Sequence, residues 1–220
     1  MIHKQGNIKE LYKGGQKIKE VYKGEQLVYT AVVDPRSYWI STSGVKSYFD
    51  QDNTPIANFV ALTSVDPEYK ITINGVSTSV NTVKKLVFGE SYNTVTSLPN
   101  SCLRHLIELE SLDIRGLSGV ETIGNLCFFN LFKLEELDLS PLANVISTGN
   151  SFAATQPSAG SNNLVKIKIG NNDWSGVSVG SNGFINRAFP PGTIYASTTG
   201  LANTFKAKFS NLSNWSVAVG

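Results

Sequence analysis

The stretch Leu109-Glu-Ser-Leu-Asp-Ile114 returns as Leu134-Glu-Glu-Leu-Asp-Leu139 and, more loosely, as Leu164-Val-Lys-Ile-Lys-Ile169. The offset is 25 residues between the first two copies and 30 between the second and third, because residues 156–163 are inserted. Internal repetition at a fixed period is typical of chains whose structural units stack on one another. The repeat therefore predicts stacked coils, each contributing one short strand to a parallel sheet.

A second motif follows the same spacing. Val95-Thr-Ser-Leu-Pro-Asn100 is repeated as Val120-Glu-Thr-Ile-Gly-Asn125 and as Val145-Ile-Ser-Thr-Gly-Asn150, and Val177–Phe184 is a degraded fourth copy. Its apolar positions are expected to line the ridge opposite the strands. Together the two motifs predict about four coils with a period of about 25 residues.

Both the period and the Leu-x-x-Leu-x-Leu strands lie within the leucine-rich-repeat range. The combined pattern over residues 83–190 resembles the BspA-like (Treponema-type) leucine-rich repeats of bacterial surface proteins. Cys102 and Cys127 depart from it, since they occupy the positions of Phe152 and Phe184 in later copies. The resemblance implies a rigid, repeat-built surface for partner contact.

The first 30 residues contain a different repeat. Ile8–Gly14 is duplicated as Ile18–Gly24 and is followed by Gln26-Leu-Val-Tyr29. The alternation has period two, and Gly14-Gly15 and Gly24-Glu25 are suited to tight turns. We predict an antiparallel meander of three strands at about 7–13, 17–23 and 26–31, too small to be stable unless it packs on something.

The remaining segments complete a mainly β fold class with an α/β solenoid. Residues 31–82 match no repeat and are interpreted as a small β module capping the first coil, with strands at 38–42, 57–63 and 69–76. A final strand at Ile194–Ala196 and a helix from Leu201 are expected to cap the other end. The predicted domains are 1–30, 31–82 and 83–220.

Composition excludes several classes of function. The 19 basic and 17 acidic residues leave a net charge of +2, too small to indicate a nucleic-acid partner. No apolar run is long enough to predict membrane insertion. With two histidines and two cysteines, no metal site, cofactor site or catalytic constellation is predicted, and an enzyme is not expected.

The remaining polar candidates are His105, the two cysteines and a pair of aspartates. His105 is expected to have a structural or solvent role. Cys102 and Cys127 are interpreted as stacked buried thiols, with a disulfide between coils as the alternative. Asp113 and Asp138 could be paired carboxylates, but a solvated row on the outer strand face is favoured.

The loop after the third strand is the predicted partner-binding site. Asn171, Asn172, Asp173 and Trp174 combine an aromatic anchor with adaptable polar groups, a composition common in binding loops. The alternative is that Trp174 covers the edge of the core.

The N-terminal strand repeat resembles sequences found in structural proteins of tailed bacteriophages. The resemblance implies a virion protein (a fibre, collar or decoration protein), assembled in the host cytoplasm as a homo- or hetero-oligomer. Its lysine-rich N-terminal segment would bind other virion proteins, and its coils would face a host receptor or a neighbouring subunit. The predicted docking residues are Tyr12, Lys13, Tyr22, Lys23 and Tyr29. A bacterial cell-surface adhesin is the alternative, although residues 1–16 contain no apolar signal segment, and an intracellular scaffold is a weaker one.

Overall fold

A computed structural model describes the backbone of residues 12–13, 16–17, 20–23 and 26–30, and all atoms of residues 36–49, 70–73, 75–153, 163–184 and 191–220. The chain divides into two compact units, Met1–Asp34 and Pro35–Gly220. The predicted strand at 57–63 lies outside the described residues.

The described residues are mainly β, as the sequence predicts, with one α-helix, α1 (Thr199–Lys208). Short 3₁₀ turns lie at Val80–Thr82, Glu90–Tyr92, Arg115–Leu117 and Ser210–Leu212. The strands are β1 (Tyr12–Lys13), β2 (Gln16–Lys17), β3 (Glu20–Lys23), β4 (Gln26–Thr30), β5 (Tyr38–Ser41), β6 (Lys46–Tyr48), β7 (Lys70–Ile73), β8 (Val76–Ser79), β9 (Val83–Val87), β10 (Ser97–Leu98), β11 (Ser111–Asp113), β12 (Thr122–Ile123), β13 (Glu136–Asp138), β14 (Ser147–Thr148), β15 (Lys166–Gly170), β16 (Ser178–Val179), β17 (Thr193–Ala196) and β18 (Ser216–Val219).

The structure describes four short strands of the Met1–Asp34 unit, and the predicted three-stranded meander stays a prediction. β1 pairs antiparallel with β2, and β3 pairs antiparallel with β4, so the described strands form two separate two-stranded sheets. Lys13 pairs with Gln16 and Lys23 with Gln26, so each connection is two residues long. Of the expected strand at 17–23, Lys17 lies in β2 and residues 20–23 form β3, while residues 18–19 lie outside the described residues.

One face of the Pro35–Gly220 unit is a continuous parallel sheet in the order β10, β12, β14, β16. Ser97 pairs with Thr122, Thr122 with Ser147, and Ser147 with Ser178. These registers follow the 25-residue sequence offset and lengthen where residues 156–163 are inserted. Leu98, Ile123 and Thr148 are buried on the inner side of these strands.

The long strands belong to two further four-stranded sheets, one in the order β6, β5, β9, β11 and the other in the order β13, β15, β17, β18. β5 pairs antiparallel with both β6 and β9, whereas the remaining neighbours are parallel. Because β5 joins β9, the predicted boundary between residues 82 and 83 falls inside one sheet. β18 continues the second sheet beyond the predicted final strand.

β7 and β8 form a hairpin where the sequence pattern predicts a single strand at 69–76. β7 and β8 are antiparallel, and Ile73 pairs with Val76 across residues 74–75. Gly75 has φ +77°, a conformation that side chains with a Cβ rarely adopt. The Asn74-Gly75 pair is a strong hairpin signal, so the correct structure was available from the sequence.

An apolar core runs through the described residues of the Pro35–Gly220 unit. The apolar residues Ile114, Leu137, Leu139, Ile167 and Ile169 of the first motif are buried, as are Val120, Ile123, Val145 and Phe152 on the opposite ridge. Leu112 is the exception, being only partly buried. At the C-terminal end of the core, the Trp174 ring packs against the rings of Phe205, which lies on α1, and Phe209. Thr198 caps the start of α1, because its Oγ1 accepts a hydrogen bond from the Leu201 N–H.

Asparagine side chains connect successive copies of the second motif. Asn100 Oδ1 accepts the Asn125 N–H at 2.7 Å, Asn125 Oδ1 accepts the Asn150 N–H at 2.6 Å, and Asn150 Oδ1 accepts the Ser181 N–H at 2.8 Å. Each amide thus satisfies a backbone donor of the next copy. The repeated Asn is therefore retained in the first three copies at a position where its side chain binds the backbone of the next copy.

Candidate functional site: a cleft between two sheets

The outer faces of the two long-strand sheets carry paired charges. Lys84 Nζ lies 3.2 Å from Glu110 Oε2 on the first sheet. On the second sheet Glu136 binds two ammonium groups, Lys166 at 2.8 Å and Lys168 at 2.5 Å. Inward and outward side chains alternate along each strand, so these charges face outward while their neighbours fill the core.

The two sheets are not joined where the repeat pattern would join them. β11 and β13 are the edge strands of different sheets, although aligned copies supply both. Backbone hydrogen bonds just beyond the strand ends mark the pairing on either side: Phe88 N–H to Asp113 O at 2.8 Å and Leu139 N–H to Lys168 O at 2.7 Å. Among the described residues, the equivalent bond from Ile114 N–H to Asp138 O is missing. The sheet is therefore interrupted between β11 and β13.

An open cleft of about 250 Å³ lies at this interruption. It is lined by both strands and by the turns that follow them: Leu112, Asp113, Ile114, Arg115, Glu136, Asp138 and Pro141. The incomplete burial of Leu112 follows from its position on the wall of the cleft.

Pro141 provides a physical reason for the interruption. The aligned residue in the preceding copy is Gly116, whose N–H donates to Phe88 O at 3.0 Å. A Cβ on Gly116 would lie only 1.9 Å from Gly89 O, so the close approach there requires glycine. Pro141 has no N–H to donate the equivalent bond, and its ring adds side-chain atoms at a position where Gly116 has none.

Local hydrogen bonds set the electrostatics of the cleft. The Arg115 guanidinium binds both carboxylate oxygens of Asp113, at 2.7 to 3.0 Å, and this bond raises the pKa of Arg115. Asp138 Oδ1 accepts hydrogen bonds from the N–H and hydroxyl of Ser140. Partial burial alone would raise the pKa of Glu136, but hydrogen bonds from Lys166 and Lys168 outweigh it and lower the pKa.

These contacts decide between the two interpretations of Asp113 and Asp138. Both carboxylates line the same cleft, as the repeat alignment implies. Each is nevertheless held by a residue two positions later in its own turn, and Lys168 binds Glu136 instead of Asp138. The two carboxylates are therefore bound separately, each within its own turn, and do not act as a pair. Each contributes hydrogen-bond acceptors to the cleft wall.

The predicted binding loop is not a continuous exposed surface. Trp174 is 1% exposed, so the expectation that it is an exposed aromatic anchor is wrong. Its ring packs edge-on against Phe205 at a centroid distance of 4.9 Å and belongs to the core. Asn172 is also buried, and its amide donates to the carbonyl of Leu139. Asn171 and Asp173 are exposed, and hydrogen bonds from Ser175 lower the pKa of Asp173.

The predicted docking residues fall on three N-terminal strands. Tyr12 and Lys13 form β1, Tyr22 and Lys23 end β3, and Tyr29 lies in β4. Their side chains lie outside the described part of the structure. Their role in docking stays a prediction.

The remaining chemical candidates are not among the residues that line the cleft. Asn130 Nδ2 is 3.1 Å from His105 Nδ1, and burial, followed by the charge of Arg104, lowers the pKa of His105. Cys102 and Cys127 are stacked, buried free thiols. Across the residues with described side chains, no cluster of three or more His, Cys, Asp or Glu residues could bind a metal ion.

Comparison with known proteins supplies no identification: the sequence matches no known protein family, and no curated protein is significantly similar to it. Within the described residues, no helix has the length and apolar character needed to cross a membrane.

Proposed function

We propose that this chain is a non-enzymatic binding protein built as a short leucine-rich-repeat solenoid of about four coils. The observation that supports this most strongly is the parallel pairing of aligned sequence copies, Ser97 to Thr122 to Ser147. Stacked repeats present an extended rigid surface, and rigid elements position contact groups more accurately than loops do.

The cleft between β11 and β13 is the proposed contact site on that surface. It offers an apolar wall at Leu112 beside fixed acceptors and the Arg115 guanidinium. The burial of Trp174 and Asn172 favours this cleft over the loop at residues 170–176. The exposed Asn171 and Asp173 remain available as additional polar contacts.

We further propose that the protein is a component of a tailed-bacteriophage particle. The resemblance of residues 7–30 to phage structural proteins supports this, as does the division of the chain into Met1–Asp34 and Pro35–Gly220. The N-terminal 30 residues carry six lysines and three glutamates, which suits an acidic surface on another virion protein. The repeat-built unit would then face a host receptor or a neighbouring subunit in a homo- or hetero-oligomer.

The alternative is a bacterial cell-surface adhesin, which the resemblance of residues 83–190 to BspA-like repeats favours. The two proposals predict different locations for the same chain. Quantitative mass spectrometry of purified particles and of host envelope fractions distinguishes them. Enrichment in particles is expected, whereas enrichment in envelopes would refute the virion proposal and support the adhesin.

The role of the cleft is tested by closing it. Pro141→Gly restores the residue of the preceding copy, so β11 and β13 should pair and partner attachment should fall, with the fold retained. Pro99→Gly is a matched control, because it makes the same exchange away from the cleft, at the position where the next copy carries Gly124. Unchanged attachment in Pro141→Gly, with slowed amide exchange proving that the strands had paired, would exclude the cleft as the contact site.

A further inference from the structure

The two cysteines occupy equivalent positions in successive sequence repeats, and their side chains meet. Cys102 Sγ and Cys127 Sγ are 2.8 Å apart, and both residues are fully buried. Both thiols are free in the structure. Later repeats carry aromatic Phe152 and Phe184 here, so the paired thiols are specific to the first two repeats.

The backbone on either side already holds the two segments in register. Ser101 N–H donates to Asn125 O at 2.7 Å, and Leu103 N–H donates to Cys127 O at 3.0 Å. A disulfide requires an S–S distance of about 2.05 Å. The two sulfurs therefore need to approach each other by less than about 1 Å to reach bonding distance.

We propose that Cys102 and Cys127 form a redox pair that closes into a cystine joining the first two repeats. The oxidant is a low-molecular-weight disulfide, such as oxidised glutathione. One cysteine thiolate attacks the oxidant and releases one small thiol, giving a mixed disulfide. The second cysteine then attacks that mixed disulfide and releases the other small thiol, so two protein thiols become one cystine and one small disulfide becomes two thiols. The proton lost by each cysteine passes to the small thiolate released in that step.

Burial determines when this reaction can occur. Burial raises the pKa of Cys127, and the hydrogen bond with Cys102 raises it further by a smaller amount. Because the thiolate is the reactive form of cysteine, the raised pKa makes the folded thiol less reactive. A fully buried sulfur also offers no access to the oxidant. The pair therefore stays reduced while the folded chain is in a reducing compartment, and it closes when folding or transient opening occurs in oxidising surroundings.

The consequence is a covalent connection between two repeats otherwise held by packing and hydrogen bonds. Closing a loop of this kind restricts the unfolded chain and stabilises the folded one. The connection would strengthen the Pro35–Gly220 unit outside a cell, and this inference does not depend on the proposed partner or particle.

The test uses the full chain, unfolded in denaturant and refolded with either oxidised or reduced glutathione. After oxidative refolding we expect a mass lower by two hydrogen atoms, no thiol reactive in denaturant, and a melting temperature higher by on the order of 5 °C. Cys102→Ser should form no internal cystine and should instead retain a glutathione on Cys127. Two titratable thiols after oxidative refolding, or glutathione on both cysteines, would overturn the proposal.

Discussion

Replacing Trp174 with alanine should destabilise the Pro35–Gly220 unit strongly. The side chain is 1% exposed, and its ring lies 4.9 Å from that of Phe205 and 6.2 Å from that of Phe209. Truncating a buried tryptophan costs about 3–5 kcal/mol, and aromatic pairs add to the burial term. We therefore expect a loss of about 4 kcal/mol in the free energy of unfolding, or roughly 8–16 °C in melting temperature.

Trp174→Phe is the matched control, because it keeps an aromatic ring and removes an indole N–H that has no partner among the described residues. It should lose less than half as much stability as the alanine variant. Urea unfolding followed by far-ultraviolet circular dichroism measures both, since the chain has three tryptophans and fluorescence would change with the substitution itself. A loss below about 1 kcal/mol for Trp174→Ala, together with weakened partner attachment, would refute the burial argument and restore the exposed-anchor interpretation.

Three further predictions concern the contacts between repeats. Leu137→Ala should lower the free energy of unfolding by about 2–5 kcal/mol in the same urea assay, and a near-neutral result would contradict the packing of β13. Asn125→Ala should cost about 1 kcal/mol, because the Asn150 N–H loses its acceptor, while Asn125→Asp should retain most of that stability; equal losses would show that the hydrogen bond contributes nothing. The pKa of Glu136 is lowered in the folded chain. Its small contribution to the free energy of unfolding is therefore present above the ordinary carboxyl pKa and is lost as pH falls through the lowered value. Thermal melts of Glu136→Gln should therefore show a weaker acid dependence than wild type, and identical profiles would exclude this ion pair as a cause.

The sequence predicts best where it repeats. Aligned copies such as Thr122 and Ser147 pair in register because stacking places equivalent positions side by side. Single-copy segments are predicted less well. The C-terminal strand Ser216–Val219 has no aligned copy to indicate it. Because this strand pairs with β17, Ile194 lies on an inner strand of the sheet, whereas the sequence pattern predicts β17 to be the final strand. Alanine at Ile194 should accordingly be as costly as at Leu137.

The burial of the loop residues Asn172 and Trp174 was harder to predict, because composition is a weaker guide than alignment. Trp174 stands among polar residues, which indicates a loop, but the neighbouring Asn172 and Trp174 side chains point inward where the repeat pattern is degraded. The interruption at β11 and β13 is visible in the sequence as the exchange of Gly116 for Pro141 between aligned copies. Its meaning required the structure, since the close contact at Gly116 involves backbone that is distant in sequence.

The most direct test of the proposed function is the incorporation of a chain lacking residues 1–34, produced in place of the full chain during particle assembly. Because Pro35–Gly220 forms a compact unit of its own, the shortened chain should retain its melting transition. Purified particles, assayed by quantitative mass spectrometry, should contain the full chain and lack the shortened one. Incorporation of the folded, shortened chain at the full-length level would contradict the account that the N-terminal unit attaches this protein to a virion.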